Sequence, residues 1–479
     1  MNYLFKTKPY KHQLDVFETS KDMQNYALFM EMGTGKSKVV IDNAAYLYEQ
    51  GKITALFIIA PKGAYLNWWY NELPAHMPDR IPVTQAYWTA GARKWQHEMM
   101  DALFDPDDKN LKILIMNVEA LATKKGQDFA YKFLVVHEVF MTLDESTTIK
   151  NEKAKRSKAA IRLGKMACIR RILSGEPIVR SPLDIYNQCA FLDRSLLGFS
   201  TFFGFRNQFA IIEKQYISTH SFDKVVGFQR LDELQSLLKQ FSARILKSEC
   251  LDLPDKVYTI RYMEMEPEQK RLYKEMKEQA LIELSQFEIV TAPLVMTKML
   301  KLHQIVCGFI TNNEGKVTHI SDVRMKIIRE VLDEAPGKVI IWAAYRHNIR
   351  QLEKSLGEHY GKETVASFYG ETPNLERQEI VKSFQDPHST LRYFIGHPRT
   401  GGFGITLTQA TTVIYYANSY DLEARIQSED RAHRIGQTSK VVYVDIICKG
   451  TVDEHITKNL RDKKNIAEVV MNKGWDDLF

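Results

Sequence analysis

The sequence predicts an α/β protein built from two parallel-sheet lobes, and three features carry that expectation. In the first third, the apolar runs "YALFM", "ALFIIAP", "LKILIMNVEAL", "VFMTLDE" and "RRILSGEPI" alternate with helix-length stretches, the pattern of strands covered on both faces by crossover helices. After Pro182 the alternation stops. It resumes with "GKVIIWAAY", "TVASFYG", "LRYFIGH", "TTVIYYAN" and "KVVYVDIIC". Between the two regions, aromatic-rich "GFSTFFGFRNQF" and helical "RLDELQSLLKQF" read as a largely helical insertion over about 182–250. The breaker "LDLPDK" follows, and then long helices that include "EQKRLYKEMKEQALIELSQF". The expected division is a first lobe over 1–260 containing the insertion, a helical connector over 261–320 and a second lobe over 321–479.

Composition bounds the function. A chain of 479 residues has room for two large domains or three ordinary ones. Its 44% hydrophobic and 26% charged content is that of a globular protein. No apolar run approaches the roughly 20 residues that span a bilayer, and "MNYLFKTKPYKHQ" is charged where a secretory signal needs an apolar core. Cys168, Cys189, Cys250, Cys307 and Cys448 never pair as C-x-x-C, which points to a reducing compartment and away from a zinc framework. A cytoplasmic setting is expected. His303 and Cys307 stand at a helical i, i+4 spacing, but two ligands do not make a metal site. The net charge of +6 permits a nucleic-acid partner without demanding one, because a local basic groove matters more than the total.

The segment "MEMGTGKSKVV" places a glycine-rich turn between a strand ending near Met30 and a helix beginning near Lys36. Gly33, Thr34 and Gly35 would present backbone N–H groups and a helix N-terminus to phosphate, with Lys36 as a point charge and Ser37 as a hydroxyl for magnesium. The strict phosphate-loop pattern has a glycine where Met30 stands, and such a turn also occurs as a plain strand-to-helix connection. A metal-holding carboxylate should end a neighbouring strand. Of "VVHE" and "FMTLDESTTIKN", the second fits better: Asp144 would hold the magnesium shell while Glu145 orients and polarises water. His137 and Glu138 then read as a polar pair at a strand end. Near the C-terminal end, "QSEDRAHRIGQ" sets Arg431 and Arg434 three residues apart in an apparent helical turn, able to project toward one anion. Taken alone, the same spacing is a salt-bridged face with Glu429 and Asp430.

Together with "PYKHQ", "APKGAYLNWWYNEL", "IMNVEAL", "LSGEPI", "FRNQFA", "LDLPDK", "LHQIVCGFI", "SFYGET" and "PRTGGFGITLT", these segments make the chain resemble the Swi/Snf-like, superfamily-two DNA-dependent ATPases from about Pro9 to Glu454. The resemblance implies two RecA-like lobes that close on ATP and Mg2+. It implies that Gln13 reads adenine, that Lys36 and Ser37 bind phosphate and magnesium, and that Asp144 and Glu145 act as above. Arg431 and Arg434 would reach the γ-phosphate from the second lobe, with Gly402 and Gln427 on the same face. Lys62, Asn117, Thr400 and Gly401 would hold phosphates of one DNA strand without reading sequence. Trp68 and Trp69 read as helix packing more readily than as base-stacking rings. The basic run "KNEKAKRSKAAIRLGK" either flanks the DNA track or is a solvated helix face.

Two positions depart from the family pattern: Thr147 stands where a histidine usually follows the acidic pair, and Glu176 replaces a threonine in "LSGEPI". Repulsion of Asp144 or Glu145 by Glu176 would raise a carboxylate pKa or loosen magnesium. The ending "NKGWDDLF" resembles acidic-aromatic peptides that dock on replication or recombination proteins, and is also what a frayed terminus looks like. The expected activity is ATP-driven translocation on duplex or branched DNA, with fork or junction remodelling by branch migration favoured over nucleosome work. The alternatives are an ATP-gated clamp that does not travel, the motor subunit of a nuclease or restriction complex, and an RNA-dependent ATPase.

Overall fold

The computed structural model describes residues 3–62, 64–217, 220–250, 253–285, 292–312, 314–401, 405–434 and 436–471. The chain divides into two compact units, one built mainly on residues 1–252 and the other mainly on Leu253–Lys464. The first holds β1 (Asn25–Met30), β2 (Ala55–Ala60), β3 (Val83–Tyr87), β4 (Leu111–Asn117), β5 (Val139–Asp144) and β6 (Ile169–Leu173). The hairpin β7 (Ala210–Ile217) and β8 (His220–Phe228), of which residues Glu213–Lys224 belong to the second unit, and the strand β9 (Ser242–Ile245) follow. Its sheet runs β3-β4-β2-β5-β6-β1-β9, with every pairing parallel. The apolar runs explain it. All of β2 is buried, with Phe57 and Ile59 in the core on one face and Leu56 and Ile58 in the core on the other, as the two-residue period of a strand requires.

The second unit holds β10 (Lys256–Met263), the hairpin β11 (Phe309–Thr311) and β12 (Val317–His319), β13 (Lys338–Trp342), β14 (Val365–Phe368), β15 (Tyr393–Gly396), β16 (Ala410–Tyr415) and β17 (Val441–Cys448). Its sheet, β10-β17-β16-β13-β15-β14, is again wholly parallel. The boundary expected at residue 260 thus falls inside β10, which pairs over its whole length with β17. Burial explains why hydropathy does not show the strand: most of β10 is exposed, only its last residue, Met263, is buried, and it carries no apolar run. The expected insertion does contain the helices Phe202–Phe209 and Leu231–Lys239, but the hairpin β7–β8 separates them and β9 joins the first sheet.

A buried polar knot fixes the connector helices to the second sheet. Asp453 accepts from Arg324 and from the Cys448 N–H at 3.1 Å, while Arg324 also donates to the Ile446 carbonyl at 3.2 Å. His303, on the helix Ala292–Val306, sits with Nε2 3.2 Å from Asp453 in an ion-pair contact and with Nδ1 2.7 Å from the Tyr345 hydroxyl. The His303–Cys307 spacing therefore serves this knot. Burial works against the His303 charge, yet Cys307 and Asp453 raise its pKa to about 10. A histidine pKa raised in the folded state stabilises fully below its ordinary value near 6.5, and that contribution fades as pH climbs toward 10. The expected result is a melting temperature that falls by about 5 °C or more across this window, with the slope largely removed in His303→Gln; thermal melts against pH check it.

Candidate functional site

In the first unit the candidate groups collect at the C-terminal edge of the parallel sheet, where open α/β sheets bind ligands. Met30 is the buried last residue of β1. Beyond it the chain turns through Gly33 (φ 83°) and Gly35 (φ 94°) into the helix Lys36–Glu49. Gly35 is required twice over: its φ is left-handed, and a Cβ there would lie 2.2 Å from Gln13 Nε2. Thr34 is fully buried, its hydroxyl donating to the Glu31 carbonyl at 2.7 Å. Gln13 Oε1 accepts from the Tyr10 N–H at 3.1 Å, and its Nε2 donates to the Thr34 carbonyl at 3.1 Å, an acceptor shared with His12 Nε2 at 2.8 Å. The residue read as an adenine contact is thus bonded to the glycine turn itself. Lys36 Nζ donates to the carbonyls of Met30 at 2.8 Å and Glu31 at 3.3 Å, and Ser37 is half-buried in the first helical turn.

The acidic pair ends β5. Asp144 lies in register with Leu173 of β6, which is itself in register with Leu28 of β1, so the carboxylates stand two strands from the glycine turn. Asp144 Oδ1 accepts from the Glu145 N–H at 3.0 Å and Oδ2 from the Trp68 indole at 2.9 Å. Burial raises the Asp144 pKa, against the lowering effects of the Trp68 donor and the Lys36 ammonium. Glu145 has φ 48°, one of two non-glycine residues with positive φ among the described residues. Such a conformation costs about 1–2 kcal/mol and is characteristic of functional sites. The expected repulsion by Glu176 is not what shifts Asp144. Glu176 faces Arg244 at 3.7 Å, and burial is the largest cause of the shift. Thr147 is buried in the turn Ser146–Ile149.

Asn117, at the end of β4, is in register with Ala60 at the end of β2. Asn117 and exposed Lys62 therefore leave neighbouring strands at the same edge. The Asn117 side chain caps the turn Val118–Ala122, accepting from the Ala120 N–H at 2.9 Å. His137 bonds the Leu103 carbonyl at 2.9 Å and Glu138 accepts from the Cys168 thiol at 2.6 Å, local structural roles at the opposite end of β5.

In the second unit, Thr400 and Gly401 lie in the short helix Pro398–Gly401 just after β15; Gly402 and the "NKGWDDLF" tail lie outside the described residues. The helix Leu422–Glu429 carries buried Gln427 and ends before the arginines, which stand on the turn beyond it. Their guanidinium groups nonetheless converge. Arg431, 1% exposed, donates Nε to the Gln427 carbonyl and Nη1 to the Ile405 carbonyl, both at 3.1 Å. Arg434 approaches the same Ile405 carbonyl at 3.5 Å. Glu429 accepts from Arg425 at 2.9 Å and Tyr258 at 2.7 Å, with Lys256 at 3.3 Å. Burial opposes its charge, but Lys256 and Arg425 hold its pKa down at about 2. Arg425 in turn lies 3.4 Å above the Tyr415 ring and pairs with Asp445 at 2.5 Å.

Three features escaped sequence reasoning. Trp68 is indeed packed, at 1% exposed, but it also orients Asp144. It starts the π-helical segment Trp68–Glu72, which no apolar periodicity announces. Buried Gln188 joins two loops, accepting from the Ser146 hydroxyl at 2.6 Å and donating to the Pro177 carbonyl at 2.6 Å. A cavity of about 440 Å³ beside β13 is lined by Arg346, His347, Arg350, Tyr345, Phe309 and His397; burial and neighbouring cations lower the pKa of both histidines.

Among the described residues no helix is long and apolar enough to cross a membrane. The model of the SNF2-related domain matches residues 11–309, and that of the helicase conserved C-terminal domain matches residues 323–436. An uncharacterized ATP-dependent helicase of Mycoplasma pneumoniae is 27% identical over 91% of this chain and 39% of its own length. The human SWI/SNF-related matrix-associated actin-dependent regulator of chromatin subfamily A member 1 is 25% identical over 94% of this chain and 42% of its own. The chain thus spans about two fifths of the length of these relatives. Among solved structures, the Sulfolobus solfataricus SWI2/SNF2 ATPase core in complex with dsDNA aligns with 98% of this chain and 95% of its own, at 22% identity and a TM-score of 0.43.

Proposed function

The chain belongs to the SNF2-related family, its match to that domain model covering residues 11–309, and from this premise we propose that it hydrolyses ATP in response to DNA and uses the cycle to translocate along duplex or branched DNA. Fork or junction remodelling by branch migration is the role this reading favours. The observation that supports it best is the sorting of candidate groups by unit. Lys36, Ser37, Asp144 and Glu145 gather at one sheet edge, and Arg431 and Arg434 converge on the Ile405 carbonyl in the other unit. Neither set is complete for phosphoryl transfer, which needs a cradle, a base and cations on the developing charge.

In this reading Gly33, Thr34 and Gly35 wrap the phosphates with backbone N–H groups, and Lys36 exchanges the Met30 and Glu31 carbonyls for phosphate oxygens. Gln13 carries the presence of adenine to the loop through its bond to Thr34. Mg2+ fits the donor set, since Ser37 supplies a hydroxyl and Asp144 a carboxylate already oriented by Trp68; when bound it neutralises charge on the β- and γ-phosphates. Glu145 takes the proton of the attacking water, and Arg431 and Arg434 stabilise the charge that develops on the transferred group. Lys62, Asn117, Thr400 and Gly401 grip phosphates of one strand, so binding is independent of sequence.

Triplex displacement tests translocation. A third strand annealed downstream on duplex DNA is expected to be released in an ATP-dependent manner. Retention of the third strand while ATP is hydrolysed would establish a clamp or a stationary ATPase instead.

A further inference from the structure

We propose that Gln188 is a positioning residue for Glu145, holding the turn after the acidic pair against the loop that follows β6. This role rests on the functional reading above, in which Glu145 takes the proton of the attacking water, and it falls to a side chain outside every segment that suggested that reading.

Gln188 lies on the helix Ile185–Leu192, all eight residues of which are buried, and is itself fully buried. A primary amide in such a place is costly unless its polar atoms are partnered, and here they are. Its Nε2 donates to the Pro177 carbonyl at 2.6 Å and to the Asp184 carbonyl at 2.9 Å, while Oε1 accepts from the Ser146 hydroxyl at 2.6 Å. Chemistry fixes this orientation. Carbonyls only accept, so the rotated amide would set Oε1 against two oxygens and lose both bonds.

On one side of Gln188 stands the turn Ser146–Ile149, which Glu145 opens with φ 48°. A non-glycine residue keeps that conformation only where its surroundings over-determine it. Ser146, the next residue, is fully buried with its hydroxyl on Gln188, and the Glu145 carbonyl accepts from the Thr148 N–H at 3.0 Å. On the other side stands the loop after β6. Asp184 closes it, accepting from the N–H groups of Val179 at 3.1 Å and Arg180 at 2.7 Å. Arg244 donates to the Gly175 carbonyl at 2.7 Å and to the Phe29 carbonyl of β1 at 3.3 Å. Gly175 also lies against the glycine turn, since a Cβ added there would come within 3.3 Å of the Met32 nitrogen. The loop is thus fixed to the strand and turn that carry Lys36, and Gln188 sets the backbone beside Glu145 against the same frame. All of these groups lie in the first unit. Burial strengthens the bonds that Gln188 makes, because no water competes for them and the local dielectric is low.

Gln188→Leu, similar in size, removes all three bonds. The kcat of DNA-stimulated ATP hydrolysis is expected to fall by about 10²-fold, the penalty of a roughly 1 Å misplacement of a catalytic group, with KM for ATP unchanged within about twofold. Ser146→Ala removes one hydroxyl and should lower kcat about fivefold, the worth of a single hydrogen bond. Circular dichroism melts establish that each variant folds; if Gln188→Leu does not, Ser146→Ala decides. The discriminating readout is kcat in a Glu145→Gln background. There both substitutions should lower the residual rate no further, because the group they position is gone, whereas a merely structural role would lower it again by the same factor. Wild-type protein lacking DNA-stimulated hydrolysis, or Glu145→Gln at the wild-type rate, removes the functional reading and this inference together. Wild-type stimulation with folded variants of undiminished kcat, or with the same loss repeated in the Glu145→Gln background, overturns the role of Gln188 alone.

Discussion

Arg431→Ala is expected to lower the kcat for DNA-stimulated ATP hydrolysis by about 10³-fold or more, the range in which an arginine finger acts, while KM for ATP changes little. The reasoning is geometric. The Arg431 guanidinium is held by two backbone carbonyls, Gln427 and Ile405, so it is oriented before any substrate arrives. Preoriented charge acts on the transition state without reorganisation at the moment of reaction. Arg431→Lys should rescue poorly, because an ammonium is a point charge and cannot hold both carbonyls with the guanidinium's planar fork. Removing a buried arginine also leaves the Gln427 and Ile405 carbonyls short of a donor. Thermal melts of each variant therefore accompany the kinetics, and Arg434→Ala, at a less buried position, should lower kcat with a smaller loss of stability. A variant that melts like the wild type and hydrolyses ATP at the wild-type rate would remove Arg431 from the reaction.

Glu145→Gln is the second large effect expected: kcat lower by about 10²- to 10⁴-fold, the contribution typical of a general base, with nucleotide binding retained. Glutamine keeps the size and the backbone N–H that bonds Asp144, so it removes the proton acceptor and little else. The positive φ of Glu145 sharpens the test. If the strain existed only to shape the turn, glutamine would be tolerated and the rate would stand. Steady-state kinetics together with fluorescent-nucleotide binding separate the two outcomes.

Much of this was legible in the sequence because buried parallel strands announce themselves as apolar runs; β1, β2, β4, β5 and β6 and the strands β13–β17 all fall on the quoted segments. β10 escaped because its side chains are mostly exposed, so the ladder to β17 is held by backbone bonds that leave no mark in hydropathy. β9 is short and only half-buried, and its place beside β1 is a long-range pairing no local pattern encodes. The glycine turn and the acidic pair were readable because their chemistry is local. The roles of Trp68 and Gln188 were not, since each acts on a residue far away in the chain. The arginines were read as one face of a helix, whereas they converge from a turn beyond its end, because Arg431 is braced by Gln427 and Ile405.

The most direct measurement of the central claim is the ATPase rate of the intact protein without nucleic acid and with single-stranded, duplex, forked and four-way DNA and duplex RNA, with Lys36→Ala as the blank. A DNA-driven motor should show hydrolysis raised by duplex or branched DNA well above the DNA-free and RNA rates, and abolished in Lys36→Ala. Equal rates with and without every nucleic acid, or a Lys36→Ala protein as active as the wild type, would contradict it.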